Sequence, residues 1–329
     1  MGEYIGRINV SKDSMLFVLN DVFERNIKES MTKENILKIV PKVYESTDAK
    51  EIIKMIPYDS YLLLEKLIKY IKVNDDVKNF FSRESYRGER YLEEAMIVVM
   101  RAKHMEYNYS LNPGVIEKLQ KIFTKENREL AQKYGSIEKL TMGMLYSYGV
   151  VEFNTLKTKL CKYIGEVITD EELYDLFFKR LNLNLDVNYF SIRWTNNNQF
   201  QEFVTYLDEE QDEVDVYEIA TEQKSRGLKY KKFKEQELLD REEYLWDKST
   251  QSFYDFISSK NKNLWKYSFQ RIIKRSELGE NILDELLNIC RFQDENEIDE
   301  FMGQYMKWYN NSPQYVLGGY SPIEFRIFG

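Results

Sequence analysis

Residues 137–207, IEKLTMGMLYSYGVVEFNTLKTKLCKYIGEVITDEELYDLFFKRLNLNLDVNYFSIRWTNNNQFQEFVTYL, hold the one readable supersecondary plan of this 329-residue chain. Apolar positions three and four apart, Leu140, Met144 and Leu145, predict a helix. It breaks at Tyr148-Gly149, where glycine suits a helix C-terminus. A second short helix is expected after Asn154, a good N-cap, with Leu156, Leu160 and Ile164 on one face and Gly165 as its stop. Thr169 followed by Glu172 fits a capping box, so a third helix runs through Leu173, Leu176, Phe177 and Leu181. Residues 187–194 and 200–207 then read as two strands joined across Thr195-Asn196-Asn197-Asn198. Three helices and a hairpin in that order make a winged-helix-like module.

Upstream, the period is helical and the pieces are short. Leu16, Val18, Leu19, Val22 and Phe23 mark one helix; Thr32 caps another that Pro41 is expected to interrupt. Asp48 with Glu51, then Asp59 after Pro57, start two more, and residues 91–105 read as a further helix. Asn112-Pro113 is a cap followed by an N1 proline. Downstream, residues 208–218 are acidic and 224–234 basic, which predicts a linker or exposed loop. Residues 244–257, 265–274, 281–290 and 297–309 look helical again. The expected fold is mainly α. It divides into an N-terminal helical bundle (1–135), a central winged-helix-like module (136–222) and a C-terminal helical region (223–329).

Composition narrows the class of protein. Hydrophobic residues make up 43% of the chain, enough for a substantial core, and 5 prolines and 14 glycines leave helices uninterrupted. A net charge of −8 argues against the whole surface being a nucleic-acid platform, though a local basic strip can still bind phosphate. Cys161 and Cys290 are far apart and suggest buried free thiols in a cytoplasmic protein, with no disulfide framework or cysteine-based zinc site. No run reaches the ~18 apolar residues of a membrane span. The N-terminus lacks a secretory-type apolar core, being punctuated by Asp13, Asn20, Asp21 and Glu24.

Chemistry has few candidates. His104 is the only histidine, and its neighbours Lys103, Met105 and Glu106 form no triad or ligand spacing. No phosphate-binding glycine loop or nucleophile elbow is present. No cofactor or metal is expected. The basic strip offers Lys229, Lys231, Lys232 and Lys234, with Tyr230 and Phe233 between them, a mixture suited to phosphates and bases. A solvated loop pairing with the acidic run upstream is the plainer expectation. Arg193 and Trp194 sit near the hairpin tip, and the second helix is basic through Lys157, Lys159 and Lys162. The third helix carries Asp170, Glu171, Glu172 and Asp175 at its start, which would repel the phosphates of a groove it entered.

The C-terminus carries a resemblance. Asn310-Asn311-Ser312-Pro313-Gln314-Tyr315, then Gly319-Tyr320-Ser321-Pro322-Ile323-Glu324-Phe325, resembles a segment of proteins from low-GC Gram-positive bacteria that often carry a SEC-C zinc segment. Asn310, Asn311, Gly319, Pro322 and Glu324 match without a gap, while Pro313 replaces an arginine. The SEC-C cysteine cluster is absent, so the resemblance implies no zinc site. With one residue dropped, Tyr309, Asn310, Pro313, Leu317, Gly318, Pro322 and Glu324 also resemble the tail of retroviral-type transposase integrases, whose chemistry needs three metal-holding carboxylates.

These readings lead first to a non-catalytic, cytoplasmic binding protein acting through a protein partner, regulatory or connected with phage or mobile elements. Trp308, Tyr309, Asn310, Asn311, Tyr315 and Pro322 are its candidate interaction motif. The second expectation is a winged-helix nucleic-acid-binding regulator using Arg193, Trp194 and the strip lysines. A transposase-type nuclease is third.

Overall fold

The long helix into which residues 137–148 fall begins earlier than their spacing suggests, at Lys125. A computed structural model describes residues 7–72, 77–81, 89–103, 106–181, 187–194, 199–207, 215–241, 247–261 and 264–328, and the protein is mainly helical with two small antiparallel sheets. In chain order the first elements are β1 (Arg7–Ile8), α1 (Lys12–Phe17), α2 (Lys33–Ser46), α3 (Ala49–Met55) and α4 (Tyr58–Ile71). Then come α5 (Val77–Phe81), α6 (Glu89–Glu94), β2 (Val98–Lys103), β3 (Glu106–Leu111), α7 (Pro113–Ile122) and α8 (Lys125–Tyr148). After these follow β4 (Val150–Glu152), α9 (Phe153–Ile164), α10 (Asp170–Leu176), β5 (Asn188–Trp194) and β6 (Gln199–Thr205). The remainder is α11 (Val216–Ser225), α12 (Glu235–Leu239), α13 (Lys248–Lys260), α14 (Lys266–Glu277), α15 (Leu283–Ile289), α16 (Glu295–Asn311) and α17 (Pro322–Phe328). Among the described residues no helix is long and apolar enough to cross a membrane.

These elements gather into two compact units that do not follow chain order. The first takes residues 1–138 and 168–186, the second 139–167 and 187–329. The stretch read from sequence as one module at 136–222 is thus shared, with α10 in the first unit and the hairpin in the second.

In the first unit, short helices surround a continuous apolar core that includes Leu19, Ile36, Tyr44, Ile53, Leu64, Leu92 and Leu119. Pro41 does not interrupt its helix: α2 runs through it, and a Cβ on Gly114 would lie 2.7 Å from Pro41 Cβ, so α7 packs directly on the proline ring. The expected helix over 91–105 is overturned. The chain leaves α6 and enters β2, whose Val98, Val99 and Met100 pair with Leu111, Ser110 and Tyr109. Adjacent β-branched residues with a pairing partner outweigh a helical spacing here. His104 lies outside the described residues.

One polar constellation is buried in this unit. Arg180 is completely buried, and its Nε donates to Glu138 Oε2 at 2.7 Å. The same oxygen accepts the Tyr58 N–H at 3.0 Å, and the guanidinium stands 5.9 Å from the Tyr134 ring centroid. The Thr169–Glu172 capping box forms as expected, with bonds of 3.0 and 3.1 Å.

In the second unit, β5 and β6 are the expected hairpin, and their stacked Phe190 and Phe203 are paired in register. The residues of the tip at 195–198 lie outside the described ones. A third strand was not anticipated: β4 pairs with β6, giving the order β4–β6–β5. Its three residues are too few for a period to show. The N-cap of α9 is Glu152 rather than Asn154, its carboxylate accepting Thr155 N–H at 2.6 Å. α13 to α16 enclose a separate core in which Trp308 stacks on Phe253, centroids 4.8 Å apart.

Candidate functional site

Two places collect charge, and they differ in how it is matched. In the first unit a small depression is lined by Glu51, Lys54, Tyr134, Glu172, Asp175 and Lys179 among others. Its lysines are paired. Lys54 reaches Glu51 at 3.0 Å and Lys179 reaches Asp175 at 3.2 Å and Glu24 at 2.8 Å. The bond to Glu51 raises the Lys54 ammonium above its ordinary range. Each of these two ammonium groups already has a carboxylate partner.

The second unit arranges its lysines differently. α9 buries Phe153, Leu156 and Leu160, which turns Lys159 and Lys162, one turn apart, toward its flank. Segment 229–234 is laid beside that flank by hydroxyls. Tyr163 donates to the Phe233 carbonyl at 2.8 Å and Tyr148 to the Lys231 carbonyl at 2.7 Å. Tyr230 is buried, accepting Glu152 N–H at 3.1 Å and donating to Gln223 Oε1 at 3.0 Å. Gly318 completes the seat. Its φ is +62°, and an added Cβ would lie 2.2 Å from the Lys229 carbonyl oxygen, so only glycine fits this contact.

The strip is irregular and exposes Lys229, Lys232 and Lys234, as a solvated loop would; buried Tyr230 anchors it, and α11 replaces part of the supposed linker. The acidic run at 208–214 lies outside the described residues. The effect is to collect ammonium groups. Burial pushes the Lys159 ammonium below its ordinary range, and the positive charges of Lys162 and Lys232 push it further. Lys159 Nζ stands 5.5 Å from the Tyr148 ring centroid, and among the described residues no carboxylate pairs with Lys159, Lys162, Lys229 or Lys232. Glu235 and Glu237, at the start of α12, act on Tyr163, whose hydroxyl is raised mainly by burial.

The other sequence candidates separate. Lys231 is already occupied, its Nζ bonding both Glu324 oxygens at 2.7 and 2.9 Å. Lys234 is exposed and begins α12, its N–H donating to Glu237 Oε2 at 2.7 Å. Arg193 is exposed on the hairpin, 5.6 Å from the Phe200 ring centroid. Its register partner Phe200 lies three residues beyond Phe203, which faces Glu152, so the hairpin carries it outward by about 10 Å along the strand. Trp194 follows in the same strand, with a side chain outside the described residues.

The C-terminal motif is built into the unit's interior. Trp308 is buried, its indole N–H donating to Thr250 Oγ1 at 3.2 Å. Tyr309 is half-buried and stacks on Tyr305. Asn310 and Asn311 close the helix end through their amides, to Met306 and Lys307 carbonyls at 2.9 and 2.7 Å. Tyr315 is buried, its hydroxyl 3.0 Å from that of Tyr206 and 3.1 Å from Glu277 Oε2. Pro322 starts α17 behind a reciprocal cap, Ser321 N–H to Glu324 Oε2 at 3.0 Å and Glu324 N–H to Ser321 Oγ at 3.3 Å. Of these residues Trp308 and Tyr315 are buried; Asn311 is exposed, but its amide closes its own helix.

Lys159 and Lys162 were visible in the sequence as charges on a basic helix, but their meeting with Lys232 was not. The only local hint was tyrosine at positions 148, 163 and 230, each able to tie a distant backbone group. Among the described residues no three His, Cys, Asp or Glu side chains gather as a metal site would require. No protein-family model matches the chain, and no curated protein or solved structure is significantly similar to it.

Proposed function

We propose that the protein binds nucleic acid, using the face formed by α9 and segment 229–234 of the second unit to contact the phosphate backbone. The observation that carries this reading is the cluster of Lys159, Lys162 and Lys232 without a carboxylate among the described residues. Like charges brought together cost stability in the free protein, and a polyanion reverses the sign of that cost. Within the second unit, α9 between β4 and the β5–β6 hairpin, together with the β4–β6–β5 sheet, supports a winged-helix-like scaffold for it. Tyr148 is buried, Tyr163 is half-buried, and both hydroxyls are engaged, so the contact is to phosphates and carries little sequence preference. Two free thiols suit such a protein in the cytoplasm.

The test is the salt dependence of binding to a short duplex. Wild type should show affinity falling steeply with salt, and Lys162→Ala or Lys232→Ala should each reduce the log–log slope by about 0.9. Affinity indifferent to salt, or unchanged slopes in both variants, ends the proposal.

A protein partner is the second reading, favoured by one observation. Ile323, Ile327 and Phe328 of α17 are 44%, 66% and 71% exposed. If that face binds a protein, Ile327→Asp should abolish its capture while leaving duplex binding intact. Capture that survives the substitution rules the face out.

A further inference from the structure

The lysine cluster has a second chemical consequence. A half-buried amine flanked by two ammonium groups is a better nucleophile at neutral pH than an ordinary surface lysine, because burial and like charge leave more of it unprotonated. Lys159 meets those conditions. Its Nζ lies over the Tyr148 ring, Lys162 stands one helical turn away, and Lys232 approaches from the neighbouring segment. The flanking charges do more than tune it, since two ammonium groups beside a nucleophile also bind an anionic leaving group.

We propose that Lys159 is a self-acylation site, taking an acyl group from an acyl phosphate whose phosphate is held by Lys162 and Lys232. In the step, the neutral Lys159 amine attacks the acyl carbon and a nitrogen–carbon bond forms. The bond from that carbon to the phosphate oxygen breaks, and inorganic phosphate leaves with the electron pair. The nitrogen loses a proton to water, leaving a neutral amide. The product removes one positive charge from the face, so acylation weakens any polyanion bound there. This assignment rests on the same cluster as the nucleic-acid proposal, but it does not need nucleic acid to be the partner.

Incubation of the full chain with acetyl phosphate, followed by peptide mass spectrometry, reads the site directly. Exposed Lys229, in the adjoining segment, is the internal reference. Lys159 should acetylate at least about fivefold faster than Lys229, and added inorganic phosphate should erase most of that difference. Lys232→Ala, a change at an exposed position, should bring the Lys159 rate down toward that of Lys229. Equal rates at the two lysines in wild type, or a Lys159 rate that ignores both phosphate and Lys232→Ala, overturns the proposal. Normal labelling in a protein that fails to bind duplex would sink the nucleic-acid reading alone.

Discussion

The two units treat charge in opposite ways. The first sinks a complete guanidinium into its interior and answers it with a carboxylate, Arg180 to Glu138 at 2.7 Å, and pairs the lysines of its surface depression. The second keeps its interior polar but largely uncharged. Tyr148, Tyr206, Tyr230, Gln223 and Tyr315 satisfy one another and the backbone, and among the described residues Lys159, Lys162 and Lys232 have no carboxylate partner. Matched charge inside a fold contributes geometry, since removing one member strands the other. Unmatched charge on a surface contributes affinity, because it waits for a counter-ion. The difference is what the proposed binding face of the second unit rests on.

The largest expected effect breaks the pair in the first unit. Arg180→Met leaves Glu138 buried with only the Tyr58 N–H, and should cost about 3–5 kcal/mol in a denaturant titration. The double replacement Arg180→Met/Glu138→Leu should recover most of that loss. A double variant no more stable than the single would show that the pair is not the unit of stability.

The next effect tests the one acid in the second unit's tyrosine network. Burial raises the Glu277 carboxyl from 4.5 to about 7, against the opposing pull of Arg241, Tyr315 and Lys274. The folded protein then holds that proton to higher pH than the unfolded chain. Stability should therefore fall as pH rises from about 4.5 to about 7 and stay at the lower level above it. Glu277→Gln should flatten that window and stabilise the protein at neutral pH by at most about 3 kcal/mol. An unchanged pH profile would mean that the carboxyl ionises normally.

The smallest effect on stability belongs to the exposed lysine of the binding face. Lys232→Ala should leave the melting midpoint nearly unmoved, within about 0.5 kcal/mol, while reducing duplex binding. A clear change in stability with no change in binding would remove the contrast between the two units.

How much of this was legible beforehand depends on range along the chain. Thr169 and Glu172 announced their capping box, Gly165 its helix stop, and the hairpin its two strands, because each is settled within a few residues. Strand β2 was hidden, since Val98 to Met100 fit a helix or a strand until β3 supplies a partner. Among the site residues, strip and helix were each visible as basic, yet the anchoring of the strip was hidden because Tyr230 declares no burial by itself. The C-terminal motif misled in the other direction. Its aromatics look adhesive in sequence, and they are adhesive, but toward the protein's own core.

The amino-acid order alone determined the mainly helical class, the Thr32, Asp48 and Thr169 caps, the Gly165 stop and the hairpin, since spacing and backbone preference act over one or two turns. Tertiary structure decided that α10 and the hairpin belong to different units, that Trp308 and Tyr315 are interior, and that Lys159, Lys162 and Lys232 stand together. Those outcomes depend on which surfaces a distant segment covers. Burial and Coulomb energy are properties of the assembled neighbourhood, and a residue's own type and spacing do not contain them.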